Sequence, residues 1–195
     1  SIPVEVADTP RVSDGQVGID LGLSTLATCS DGEKIEHPRS YRQSEQRLAG
    51  AQRAKHRRRV RSIHAKVKNQ RADWLHKASA RLAKHNELIA VGDVRPANLA
   101  RTTMAKSVLD AGWSTFRNQL SYKAATHGGR YVEVREAWTT QTCSRCGSIE
   151  GPKGFAGLRE RMWSCSCGAV HDRDVNAAQN ICAIGRNRLV GGAHV

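Results

Sequence analysis

Cys143 and Cys146 are spaced C-x-x-C, Cys165 and Cys167 are spaced C-x-C, and 18 residues separate the two pairs. Four thiolates in two such knuckles suit tetrahedral zinc at about 2.3 Å per sulfur, and the segment between them is long enough for a short hairpin. In a basic chain, thiols clustered this way point to a metal rather than to disulfides. Gly147 and Gly168 each follow the second cysteine of a knuckle, where the backbone has to curl. His171 is placed to substitute for a cysteine, but four thiols already complete a ligand set. The expected site is therefore Cys143, Cys146, Cys165 and Cys167, structural because it leaves no open position. Cys29 and Cys182 stand alone among apolar residues and read as small buried hydrophobes.

Asp20 is the second residue type that implies chemistry. Across residues 17–23, Val17, Ile19, Leu21 and Leu23 share one parity, while Gly18, Asp20 and Gly22 share the other. A carboxylate on the bare face of a strand is costly if merely buried. Glycines on both sides leave space for a hydrated cation or a phosphate; an edge-strand aspartate facing water is the plainer alternative. Asp172, Asp174 and Asn176 open the last helical pattern. One aspartate is expected to cap that helix, leaving the other to ligate a metal beside Asp20 if the fold brings them together.

The chain of 195 residues has 31 Lys and Arg against 18 Asp and Glu, for a net charge of +13. Residues 51–71 hold Arg53, Lys55, Arg57, Arg58, Arg59, Arg61, Lys66, Lys68 and Arg71 with no acid, which leaves only +4 elsewhere. An acid-free run of that density points to phosphate contact rather than a merely solvated helix face. No apolar stretch approaches the roughly 20 residues that cross a bilayer, and residues 1–10 lack the features of a signal peptide. Neither a membrane-spanning nor a secreted protein is expected.

Residues 1–16 read as a lead-in. Strands are expected at 17–23, 26–30 and 33–37, with Asp31-Gly32 as a hairpin turn. A polar helical stretch spans 40–85, with a break predicted within 62–69. Trp74, Leu75, Ala78 and Leu82 form its docking face, and its first half projects from the body. A strand at 87–91 follows. Leu109, Trp113, Phe116 and Leu120 then mark a helix entered near Ser107 and stopped by Gly128-Gly129. A strand at 131–134, the cysteine segment and a final helix from Asp174 complete the order. This succession is that of a ribonuclease-H-like α/β mixed sheet with a helical-hairpin insertion at about 40–85 and a zinc-sized insert before the last helix. The expected boundaries are 17–138 for the main domain, 139–170 for the ribbon, 171–188 for the final helix and 189–195 for a tail.

Residues 17–23 (VGIDLGL), 69–77 (NQRADWLHK), 105–123 (AKSVLDAGWSTFRNQLSYK), 139–147 (TTQTCSRCG) and 171–181 (HDRDVNAAQNI) together resemble the C-terminal half of TnpB proteins. Those are transposon-encoded and RNA-guided, and the miniature type V CRISPR effectors are similar to them. The resemblance implies a RuvC-like nuclease domain carrying a zinc ribbon, in a prokaryotic cytoplasmic protein with guide RNA and target DNA as partners. It also implies that the family's amino-terminal recognition domains lie outside this chain.

In that family three acids hold two divalent cations, Mg2+ or Mn2+. The first maps to Asp20 and the last to Asp174, with Asp172 the lesser choice. The middle acid, a glutamate, maps onto 88–94 (LIAVGDV), where Gly92 takes its place. Asp93 is adjacent but points to the opposite side of the strand unless a bulge rotates it. The leading expectation is therefore a nuclease-deficient RNA-guided effector that silences its target by occupancy. The alternatives are an active endonuclease using Asp93 or Asp172 as a substitute, and a zinc-ribbon interaction module on a scaffold fold. Trp113 and Trp138 are candidates for stacking on bases, although Trp113 also fits the helix core pattern.

Overall fold

In a computed structural model, residues 13–22, 25–36, 38–94, 112–157 and 160–191 are described. The alternating residues of the amino-terminal segment form β1 (Gly15–Leu21), which opens within the expected lead-in. It leads into β2 (Ala27–Cys29) and β3 (Lys34–Ile35). The turn between β2 and β3 closes through Gly32 at φ 93°, whose N–H donates to Cys29 O, and through Glu33 N–H donating to Asp31 Oδ1. After two helices come β4 (Asn86–Gly92) and, later, β5 (Arg130–Val134). The sheet order is β3-β2-β1-β4-β5, antiparallel among the first three strands and parallel from β1 to β4 and from β4 to β5.

The sheet has two covered faces. Val17, Ile19, Ile89 and Val91 pack on one side against Leu75, Ala78 and Leu82, with Trp113, Phe116 and Leu120 beside them. Leu75, Ala78 and Leu82 belong to α2 (Arg57–His85), and Trp113, Phe116 and Leu120 to α3 (Trp113–Thr126). Trp113 is buried here and is a core residue. The expected entry of α3 near Ser107, and Leu109 with it, lies outside the described residues; the described helix begins after Gly112, at φ 67°. On the opposite side, α5 (Arg173–Gly191) crosses β1 and β4, extending three residues past the expected end at 188.

Backbone meets backbone at that crossing. A Cβ on Gly18 would overlap Ala178 O and lie 2.5 Å from Cys182 N, and a Cβ on Gly185 would lie 2.5 Å from Ala90 Cβ. The bare position beside Asp20 is thus filled by a helix at Gly18 and is not clearance for a ligand, contrary to the sequence expectation. Cys182 at this crossing, and Cys29 in the core on the α2 side, are buried as expected, and burial, then Asp31, pushes the Cys29 thiol up to about 12.

The helical hairpin turns earlier than expected. α1 (Ser40–Arg53) ends and α2 begins around Lys55, which adopts φ 54°. Ala54, Lys55 and His56 N–H groups bond back to Gly50, Gln52 and Ala51 carbonyls, which closes the elbow without a glycine or proline to announce it. The reversal falls where Leu48 and Ala51 can face Ile63 and Val67. The arm therefore has a small apolar core of its own rather than projecting without anchors.

Gly18→Ala is expected to destabilise the fold by about 1–3 kcal/mol, because the added methyl meets helix backbone that cannot rotate away. Chemical denaturation reads this directly; a variant as stable as the parent would refute so close a crossing.

Candidate metal centres

The α5 face of the sheet gathers acids. Asp20 lies on β1, and Asp174 stands in the first turn of α5. A third acid arrives from an unexpected place. Gly92 ends β4 and pairs with Val134 of β5, so Glu136, two residues beyond Val134, reaches back across the strand ends. A Cβ built on Gly92 would lie 2.7 Å from Glu136 Oε2 and 3.3 Å from Ile181 Cδ1. The space from which a side chain at position 92 would reach is occupied by the Glu136 carboxylate. Burial, then the charges of Asp174 and Glu136, raises Asp20 to about 8, with Arg173 acting in the opposite sense. Glu136 is itself raised, by burial and then by Asp93.

Local bonds hold Glu136 in place. Thr139 N–H and Oγ1 donate to Glu136 O at 3.2 and 2.8 Å, and Glu136 N–H donates to Asp93 Oδ1 at 3.2 Å. Asp93 is therefore a backbone anchor for Glu136. Asp172 is the helix cap: its Oδ1 accepts the N–H groups of Asp174 and Val175, and its Oδ2 accepts from Lys34 Nζ at 2.6 Å. Burial opposes its charge, but Lys34 and those N–H groups hold its carboxyl below the ordinary value. Asp174 is paired with Arg161 at 2.6 Å and Arg173 at 3.1 Å. Asp174 and Glu136 both act to raise the buried Asp20, and carboxylate oxygens gathered in this way suit a hard divalent ion.

The four sulfurs of Cys143, Cys146, Cys165 and Cys167 lie within 4.8 Å of one another. Cys143 Sγ to Cys167 Sγ is 3.8 Å and Cys146 Sγ to Cys165 Sγ is 3.6 Å. A tetrahedron with 2.3 Å metal–sulfur bonds requires about 3.8 Å, so the set fits one metal ion. Gly147 and Gly168, at φ 81° and 82°, close the knuckles by donating to the carbonyls of Cys143 and Cys165. The Ser148 side chain and backbone lower the exposed Cys146 thiol to about 6, which favours the ligating thiolate. His171 is not among the clustered ligands. Its Nε2 lies 3.1 Å from Cys143 Sγ, and its ring packs against Trp163 with centroids 4.6 Å apart and planes tilted by 37°.

A hairpin, β6 (Met162–Ser164) and β7 (Val170–Asp172), carries the second knuckle at its turn and continues directly into α5, with the single-turn α4 (Gly154–Gly157) before it. Amides of α5 fasten the first knuckle to the helix. Asn176 Nδ2 donates to Thr139 O and Thr142 O, its Oδ1 accepts Ser144 N–H at 2.9 Å, and Asn180 Nδ2 donates to the same two carbonyls. The first knuckle, the turn after Glu136 and Asp174 thus share one support, the amino-terminal half of α5.

The basic residues form a separate surface. Arg53, Lys55, Arg57, Arg58, Arg59, Arg61, Lys66 and Lys68 are exposed on α1, the elbow and α2, whereas Arg71 is half-buried. Gln52, Lys55, Arg57, Val60 and Arg61 line a 400 Å³ hollow at the elbow.

A five-stranded mixed sheet with acids at the ends of β1 and β5 and at the start of its last helix, and a cysteine ribbon inserted before that helix, defines a RuvC-like domain. Sequence comparisons agree. The family profile OrfB_IS605, described as a probable transposase, matches residues 1–103, and a Cas12f1-like TNB domain profile matches residues 113–181. The chain belongs to the TnpB family, whose relatives include the miniature Cas12f effectors. A Streptomyces pristinaespiralis protein, provisionally named RNA-guided DNA endonuclease, is 41% identical over 87% of this chain and 45% of its own length. InsQ of Escherichia coli K12, with the same provisional name, is 30% identical over 98% of this chain and 54% of its own length. The chain spans about half the length of the curated relatives it matches. The fold also matches a Cas12f1–sgRNA–target DNA complex with a TM-score of 0.66 at 16% identity, over 86% of this chain and 49% of that one. Among the described residues no helix is long and apolar enough to cross a membrane.

Without metal, the folded chain keeps at Asp20 a proton that the unfolded chain releases above the ordinary value of 3.8. In buffer free of Mg2+ and Mn2+, stability is therefore expected to fall as pH rises from about 4 to 8, and Asp20→Asn to flatten that fall. Melting curves across the window check this; identical pH profiles for the parent and the variant would contradict it.

Proposed function

We propose that this chain is the catalytic half of an RNA-guided, divalent-metal-dependent DNA endonuclease in which Asp20, Glu136 and Asp174 form the acid triad. The observation that carries this reading is the Glu136 carboxylate lying 2.7 Å from where a Cβ at position 92 would stand. The occupancy-only expectation rested on a missing third acid, and Glu136 supplies an oxygen ligand in its place without Asp93 or Asp172. Bound Mg2+ or Mn2+ would supply activation of water and stabilisation of the leaving oxygen in phosphodiester hydrolysis. The chain's own part is to hold three carboxylates convergent, to release the Asp20 proton as cations enter, and to free Asp174 from Arg161 and Arg173. Those two ion pairs are the observation that favours the second reading, a silent site acting by occupancy, because they neutralise Asp174 internally.

The cysteine cluster is read as structural Zn2+, with no open position for chemistry. The exposed basic face of α1 and α2 is read as a phosphate-backbone track for guide RNA or target DNA, since such effectors read sequence by base pairing and grip shape with the protein. The described boundaries support a main domain to about residue 138, a ribbon at about 139–170 and the final helix after it.

In the complete guide-loaded protein, Glu136→Ala is expected to lower Mg2+- or Mn2+-dependent cleavage by about a hundred- to a thousandfold. The exchange Gly92→Glu with Glu136→Ala is expected to restore part of the activity, because either position reaches the same space. Undiminished cutting by Glu136→Ala would remove the proposed triad, and a parent protein that never cuts would favour occupancy. Metal analysis of the purified chain is expected to give about one zinc per molecule, with Cys143→Ser losing both metal and stability; a folded chain free of metal would refute the ribbon. Replacing Arg57, Arg58, Arg59 and Arg61 by Gln is expected to reduce the salt slope of nucleic-acid binding by about one for each phosphate no longer neutralised. An unchanged slope would place the track elsewhere.

A further inference from the structure

Trp138 has no structural explanation. Its side chain is 62% exposed, so it contributes little to any core, yet its backbone is held at φ 70°. A bulky residue in the left-handed region is a true outlier, and a glycine would occupy the position at lower energy. Strain of this kind persists only where the surroundings over-determine it, and it gathers at sites that do something. The surroundings here do over-determine it. Gln141 and Thr142 N–H groups both donate to Trp138 O at 2.9 Å, and Thr139 N–H donates to Glu136 O. The carbonyls of Thr139 and Thr142 are gripped by Asn176 and Asn180 from α5. One pinned turn thus fixes an acid on its inner side and presents an indole to solvent two residues later.

We propose that Trp138 is a stacking platform for an unpaired base of the single DNA strand that enters the acid cluster. Every base has a π-face, so an exposed rigid indole binds single strands with little regard for sequence, whereas the bases of a duplex are already stacked. The turn sets the platform's position relative to Glu136, and so sets which phosphodiester is offered to the acids. This role rests on the nuclease reading of the acids, but its test does not depend on cleavage.

The test is tryptophan fluorescence of the zinc-loaded chain titrated, in buffer free of Mg2+ and Mn2+, with a short oligothymidine strand, with the same strand lacking bases and with a duplex. Trp113 and Trp163 are buried and Trp74 is half-buried, so quenching reports chiefly on Trp138. Oligothymidine is expected to quench, while the abasic strand and the duplex are not. Trp138→Ala is expected to weaken oligothymidine binding about five- to a hundredfold and Trp138→Phe to recover most of it. Trp138→Gly is expected to raise the melting temperature while abolishing the binding, since it relieves the backbone and removes the platform. Binding by Trp138→Ala within twofold of the parent, equal quenching by the duplex or abasic strand, or a lower melting temperature for Trp138→Gly would each overturn the proposal. Asp20→Asn separates the two readings: it is expected to abolish cleavage in the guide-loaded protein and leave the quenching intact.

Discussion

The crossing of α5 over β1 and β4 governs the rest of this molecule. At Gly18 no side chain stands between strand and helix, and at Gly185 a bare helix position meets Ala90. Such a contact fixes the rotation and height of the helix far more tightly than interdigitated side chains would, because backbone has no alternative rotamers. Asp174 at the start of α5 is thereby set against Asp20 on β1. The same helix, through Asn176 and Asn180, carries the first cysteine knuckle and the turn that holds Glu136. One packing contact locates both candidate metal centres.

The arrangement has an electrostatic cost. Asp20 is pushed up to about 8 by burial and by its two acidic neighbours, and Asp174 is paired with two arginines. A stable apolar layer would have been easier to build at the ends of β1 and β4. Carboxylates crowded in this way lower the stability of the metal-free fold and would be relieved by cations, as the proposed nuclease reading requires. The ribbon presents the reverse case. Its thiols have their glycine turns and hydroxyl partners in place, and a single ion would tie two knuckles and a hairpin into one unit.

Much of this was legible in the sequence, for identifiable reasons. The strict alternation around Asp20 and the Leu75, Ala78, Leu82 spacing follow directly from strand and helix periods, so the carboxy-terminal half of α2 falls where expected and β1 overlaps the expected strand, opening two residues earlier. The four cysteines were readable because thiol spacing is itself the constraint. What the sequence concealed was long-range. Glu136 lies in no local pattern, and its role appears only once β5 is seen to pair with β4 in a register that sets Val134 beside Gly92. Gly18 suggested ligand space because a sequence shows that a side chain is missing without showing what fills its place. The elbow at Lys55 carries no glycine or proline; apolar matching of Leu48 and Ala51 with Ile63 and Val67 decides it, and that matching is tertiary.

The central claim is that the third acid has moved from the end of β4 to just beyond β5 while its carboxylate has stayed in place. Anomalous diffraction from crystals soaked in Mn2+ tests it most directly. The account predicts manganese density bounded by oxygens of Asp20, Glu136 and Asp174 in the parent protein, and loss of at least one ion in Glu136→Ala. Manganese bound by Asp20 and Asp174 alone, with the Glu136 side chain turned away and Glu136→Ala binding the same ions, would contradict it.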